Sequence, residues 1–390
     1  MEGKSMKNST VKMILALVAI AVIAVGGGSL YAQRNYKETV VLGPGVTRVT
    51  MLSEYFDGIK GTAADTKVFI LEGQEPGGGV LMFGGAHACE PSGIVAAVVA
   101  IESMEVTKGK VVVIPHINRS ASTTTQASGG FPLYYNIETN YGLRKFRMGD
   151  RNTSAVDQWP DPEIQFHYPT GQSQSYVEAR NINRCFPGNP NGNLTEKATY
   201  AVMQLVEKEE LDIVIDMHEA ELFYPVTNCI VAPDKSMNIA SFALLSAPFE
   251  IVTFRSPQLA RGFSHREIGD PATGDPDAYP FLFEAPEPFL DQPTGPKTEK
   301  LLLDGKDEFL GKLGDLGLLF CPYDPEEGKS IDLRVGRHFT TATLIIEEWS
   351  YTYEDKQILF SAPTFEEIMA NGLKEYFLDP AAEGAQIEEM

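Results

Sequence analysis

Basic residues are scarce in this chain. Its 390 residues include 32 Lys and Arg against 53 Asp and Glu, a formal net charge of -21. The acidic side chains are spread along the sequence rather than gathered in a tail. Nucleic acid and anionic lipid both reward basic surface, so neither is expected as a partner. Cysteine is also sparse, with only Cys89, Cys185, Cys229 and Cys321. None of the four stands in a Cys-x-x-Cys pattern, which removes the thiolate zinc signatures. Four cysteines allow three pairings, and spacing does not choose among them. A chain this long does not need disulfides to fold. Internal repeats and low-complexity tracts are absent, which argues against a stacked-repeat architecture.

Long apolar runs are missing too, with one exception at the start. Lys4, Lys7 and Lys12 precede "MILALVAIAVIAV", residues 13–25, and then "GGGSLYAQ". A basic segment followed by an apolar core is the pattern of an export signal. Counted through Ala32 it reaches about 20 residues, enough to span a bilayer. Cleavage after Ala32 is one outcome, although Leu30 is bulky for such a site; an uncleaved anchor through residues 13–32 is the other. Either way the lysines stay inside and the rest is exported, to a periplasmic, extracellular or membrane-anchored location. Residues 1–35 are therefore set apart from one domain covering 36–390.

Within that domain β-like runs alternate with helical ones. "KVFIL" (67–71), "GVLMF" (79–83), "KVVVIPH" (110–116) and "LDIVIDMH" (211–218) read as strands. "PSGIVAAVVAIESM" reads as a helix with Pro91 in its first turn. "TEKATYAVMQLVEKE" (195–209) reads as an amphipathic helix capped by Thr195. Helices are expected near 235–245 and 304–313, a strand at "ATLIIEE" (342–348), and a closing helix at 363–377. The alternation implies an α/β fold with a mixed, mostly parallel central sheet flanked by helices. Two stretches interrupt it. Residues 119–180 are polar, Gly- and aromatic-rich, and residues 255–298 are Pro-rich; both read as insertions or as walls of a site at the strand ends.

Histidine is rare as well, only six residues, so each position matters. "GGAHACEPSG" places His87 and Glu90 in the loop where a strand ends and a helix begins. Zinc takes imidazole nitrogen and carboxylate oxygen, and a catalytic site needs three protein ligands and one open position. A third ligand is expected at another strand's carboxyl end. His218, closing "LDIVIDMH" before Glu219, fits; His116 is its rival. A general base is needed besides, and the strand read at 342–348 offers Glu347 or Glu348. Alternation puts Thr343 with Glu347 on one face and Ala342, Leu344 and Ile346 on the other, which favours Glu347. "NINRCFPG" adds Asn183 and Arg184, an amide and a forked guanidinium suited to a carboxylate.

In this order, His87-x-x-Glu90, Asn183-Arg184, Asp216-x-His218 and a late glutamate, the chain resembles the zinc carboxypeptidase superfamily. The branch it is most similar to is succinylglutamate desuccinylase/aspartoacylase, over roughly residues 60–350. The resemblance implies one Zn2+ per chain on His87, Glu90 and His218, with Glu347 as base and proton shuttle. It implies that Arg184, helped by Asn183, holds a substrate carboxylate or polarises the scissile carbonyl. A second carboxylate-binding arginine is expected before the glutamate: Arg337, with Arg334 competing, and Arg119, Arg147 and Arg151 open as well. The family's Asp-x-Asn-Arg has its aspartate hydrogen-bonded to the first zinc histidine; Asn181 stands there instead and makes that ligand less basic.

The expected activity is deacylation of a small carboxylate-bearing substrate through its amide bond. Carboxypeptidase action on peptides, cell-envelope peptides among them, is the alternative, although Tyr323 is a poor match for that group's mobile tyrosine. A non-catalytic binding protein on the same fold is the reading from outside enzymology.

Overall fold

A computed structural model describes residues 8–125, 131–257 and 259–390. Lys4 and Lys7 of the basic segment lie outside the described residues. The apolar run forms one helix, α1 (Asn8–Asn35), with its apolar window unburied. Its last turn is part of the domain. Gln33 is fully buried, and its Nε2 donates to Met148 O at 3.0 Å and Leu133 O at 3.1 Å. Arg34 reaches Asp157 Oδ1 at 2.5 Å and Thr123 Oγ1 at 3.0 Å.

Nine strands make the central sheet: β1 (Val46–Met51), β2 (Lys67–Glu72), β3 (Glu75–Phe83), β4 (Glu105–Ile114), β5 (Ile213–Glu221), β6 (Cys229–Ala232), β7 (Val252–Arg255), β8 (Tyr279–Glu287) and β9 (Leu359–Ser361). Their order is β7-β6-β8-β5-β3-β4-β2-β1, with β9 on β4. The centre, β8-β5-β3-β4, is parallel. Antiparallel pairing is kept to β6 against β8, to β1 and β2, and to β9. The parallel strands are continuous apolar runs because helices cover both faces.

On one face lie α2 (Pro91–Ser103), α4 (Asp234–Ala243) and α5 (Ile331–Thr352); on the other lies α3 (Leu194–Lys208). Helix α2 is buried all round, and Gly93 explains how: a Cβ there would sit 2.4 Å from Met217 O. The cap of helix α3 lies two residues earlier than the spacing suggested. Asn193 and Glu196 form a reciprocal capping box, typically worth ~1 kcal/mol, and Thr195 instead bonds Gln158.

The strand expected at 342–348 is a correction. Those residues lie inside α5, capped by Ser330. Ile331, Val335, Phe339, Ala342, Ile346 and Trp349 are all buried, a helical period that a window of seven residues hides behind its β-branched members. Residues 304–313 also divide: Gly305, at φ +66°, ends the helix Glu299–Asp304 before Glu308–Asp315 begins. The closing segment is the short helix Phe365–Asn371, ended by Gly372. The stretch 119–180 carries two small hairpins, 134–147 and 165–174. The stretch 255–298 holds the central strand β8, so it is not an excursion from the fold. All four thiols are buried and unpaired.

Candidate metal centre and its cavity

Strand ends bring the histidines together. Gly85, at φ +69°, turns the chain out of β3 and sets His87 and Glu90 just before α2. His218 lies toward the carboxyl end of β5, two residues past the stretch that pairs in parallel with β3. The three ligand atoms of His87, Glu90 and His218 lie within 4.8 Å of one another, all buried. Glu90 sits between the rings: Oε1 is 2.7 Å from His87 Nδ1 and Oε2 is 2.8 Å from His218 Nδ1.

The outer ring nitrogens decide what this cluster can hold. His87 Nε2 is 3.0 Å from Asn181 Oδ1, an amide oxygen identified as such because it also accepts from Asn183 N. His218 Nε2 is 3.0 Å from Asp216 Oδ1, which has no other partner. Both acceptors call for a proton on Nε2, which turns the Nδ1 lone pairs toward Glu90. Two lone pairs and a carboxylate converging in a buried space repel one another unless a proton or a metal cation lies among them. The donor set therefore fits a divalent metal with three protein ligands. Burial alone would push both imidazoles down. Arg151 adds to that at His87, which lies below its ordinary value, whereas the carboxylates of Asp216 and Glu90 hold His218 well above it.

The cluster opens into a cavity of about 410 Å³ also lined by Arg151, Arg184, Asn183, His265 and Glu284. Glu284 is on β8, paired in register with His218, so the two side chains lie side by side on one face of the sheet. The residue is partly buried, and its Oε2 is buried without a hydrogen-bond partner. Burial pushes its pKa well above the carboxylate range, with Glu90 and Asp216 adding to the effect and His218 opposing it. Glu284 went unnoticed in the sequence because "FLFEAPEP" lies among prolines. Pro280 and Pro286 argue against a central strand, yet they occupy the ends of β8. His265 was also missed. It is 4% exposed, and neither ring nitrogen has a partner; burial pushes its pKa down to about 3, so it is neutral.

Several expected site residues lie elsewhere. Glu347 is exposed on the outer side of α5, in a surface hollow with Thr343 and Phe365; on a helix the alternation that favoured it over Glu348 does not apply. Arg337 bonds Asn228 and the Glu250 carbonyl. Arg334 is fully buried against Glu219 at 2.6 Å, and Glu219 in turn accepts from Ser92 N at the start of α2. His116 is held by Glu38 at 2.5 Å, and Arg147 packs beside that pair. Arg119 lines a separate hollow with Lys37 and Lys67. Tyr323 is tied to Asp307 N and Gly305 O.

Of the expected arginines, Arg184 and Arg151 reach the cavity. Arg184 donates to Asn183 O at 2.7 Å and lies 4.0 Å from the Phe263 ring. Asn183 Oδ1 accepts from Ser264 N, and its Nδ2 lies 3.3 Å from His218 Nε2 on the cavity wall.

No protein-family model and no curated protein matches this sequence. Solved structures do match. The metallo-carboxypeptidase from Burkholderia cenocepacia aligns at 9% identity over 83% of this chain and 68% of that one, TM-score 0.44. The ectoine utilization protein EutE (DoeB) from Ruegeria pomeroyi aligns at 16% over 56% of this chain and 53% of that one, TM-score 0.35. The succinylglutamatedesuccinylase/aspartoacylase from Rhodobacter sphaeroides aligns at 22% over 46% of this chain and 41% of that one, TM-score 0.29. The chain thus spans about half the length of the last two.

Proposed function

We propose that this chain is a zinc-dependent hydrolase that cleaves an amide bond in a carboxylate-bearing substrate. The observation that carries the reading is Glu284, a partly buried residue whose Oε2 is buried and unpartnered, next to His218 in the cavity of the His87–Glu90–His218 cluster. Imidazole and carboxylate donors favour zinc, which would act as a Lewis acid toward a carbonyl oxygen and lower the pKa of water. Glu284 takes the proton from the attacking water and returns it to the leaving amine. Its raised pKa suits a group that must both accept and release a proton. Arg184 binds the substrate carboxylate, with Arg151 supplying positive charge on the same cavity. His265, neutral and without protein partners, hydrogen-bonds the substrate.

Candidate metal ligands, a carboxyl and two arginines share the cavity, which favours a catalytic over a non-catalytic reading. A cavity of this size suits a small N-acyl amino acid, which favours deacylation. Carboxypeptidase action is supported by the mouth, where half-exposed Phe223 and Tyr224 leave room for a longer chain. We further propose that α1 anchors the domain outside the cytoplasm, since its apolar length reaches across a bilayer.

The test is release of free amine by zinc-loaded protein from two panels, N-acyl amino acids and peptides with a free carboxyl terminus. Turnover in one panel that disappears in Glu284→Gln is expected. No turnover in either panel, or full activity in Glu284→Gln, would overturn the reading.

A further inference from the structure

Two large apolar side chains are held out from the surface beside the root of α1. Val156 is 74% exposed and Trp159 is 77% exposed. They are not on a loose loop. Between and beside them Ser154 and Gln158 are each 4% exposed. Gln158 donates to Ala179 O at 2.9 Å and accepts from Thr195 N at 2.9 Å and Thr195 Oγ1 at 2.7 Å. Asp157 is held on both sides, by Ser120 Oγ at 2.6 Å and by Arg34 at 2.5 Å. A braced turn that leaves its apolar members in water calls for something to cover them.

Helix α1 indicates what that is. From Lys12 to Tyr31 it rises roughly 30 Å, the thickness of a bilayer's hydrocarbon core. Tyr31 then falls at the outer boundary, where tyrosine and tryptophan are favoured. Arg34, three residues on, lies about 5 Å farther along the axis, at headgroup depth. Gln33 and Arg34 fasten this end of the helix to residues 123, 133, 148 and 157, so the depth of Arg34 is also that of Asp157. Val156 adjoins Asp157, and Trp159 follows two residues later.

We infer that the Val156–Trp159 turn rests in the headgroup–acyl boundary of the same bilayer that α1 crosses, docking the domain against the membrane. The inference rests on the reading of α1 as a membrane span. Its consequence concerns the candidate site. Arg151, on the cavity wall, lies five residues before Val156, at most about 17 Å along extended chain. The cavity is therefore held close to the membrane surface, within reach of substrates attached to it.

The chain has only two tryptophans, and Trp349 is 2% exposed, so Trp159 is a selective probe. Full-length protein would be reconstituted into zwitterionic vesicles whose acyl chains carry bromine just below the headgroups. Its emission would be compared with that of Trp159→Phe, and flotation would report insertion. The expected result is flotation of both proteins, with loss of most Trp159 emission in brominated vesicles and little quenching by aqueous acrylamide. Floating protein whose Trp159 is quenched by acrylamide but not by bromine would overturn the docking while leaving the anchor intact. Protection from both quenchers would put a second chain over the patch and overturn it as well. Protein that does not float would remove the anchor and the docking together.

Discussion

Two glutamates each close an apolar run, Glu284 in "FLFEA" and Glu347 in "LIIEE", and the fold sends them to opposite surroundings. Glu284 ends up on a central strand next to His218, with its Oε2 buried and unpartnered at a cavity. Glu347 ends up exposed on the outer side of α5. Composition does not separate the two runs; the length of the pattern around them does. The run before Glu347 continues a helical period that begins at Ile331, whereas the run before Glu284 is bounded by proline within a few residues on both sides. A short β-branched window thus points to a carboxylate outside the cavity, and a longer window combined with sheet pairing points to one that lines it.

The largest effect should separate those two residues. Glu284→Gln is expected to lower turnover by about 10²–10⁴-fold at full metal loading, the usual contribution of a positioned acid–base group. Glu347→Gln should be indistinguishable from wild type. A steady-state assay of both decides it, and a severe loss in Glu347→Gln would break the comparison.

The arginines offer the next contrast. Arg184→Ala removes a charged hydrogen bond to substrate and should raise KM by roughly 10–100-fold. Arg337→Ala should leave KM unchanged and lower the melting temperature, because its partners are Asn228 and the Glu250 carbonyl.

His338, on the inner side of α5, sharpens the picture of that helix as structural. It is buried with Nε2 unpartnered, and burial pushes its pKa down to about 3. The unfolded chain binds this proton near the ordinary value of about 6.5, so the contribution to stability is present above that pH and is lost as pH falls toward 3. At pH 5 the wild type should lose about 2 kcal/mol more than His338→Gln, relative to pH 7.5. Denaturant unfolding in detergent at both values checks this, and equal losses would contradict it.

The smallest effect concerns Asn181. Asn181→Asp restores a carboxylate to His87 Nε2 and should tighten metal binding by about tenfold, measurable by competition with a chelator. Weaker binding would count against a ligand role for His87.

Much of this was readable beforehand. The α/β alternation, the buried strand ending in His218, the loop carrying His87 and Glu90, and the Asn183-Arg184 pair all come together where their spacing suggested. Apolar continuity marks central strands, and polar residues at their carboxyl ends mark a site. What escaped detection depends on tertiary context. Proline at both ends of β8 disguised a central strand and Glu284 with it. His265 looks like any loop histidine until both its nitrogens are seen to be buried without partners. Gln33 and Arg34 look like the tail of an export segment, yet they are wired into the domain.

The central claim is a metal site made by His87, Glu90 and His218 and served by Glu284. Metal content per chain tests it most directly, measured on the wild type beside His218→Ala, His116→Ala and Glu284→Gln. The account predicts one zinc per chain in the wild type, in His116→Ala and in Glu284→Gln, and none in His218→Ala. Absence of metal from the wild type, or metal that survives His218→Ala, would contradict it.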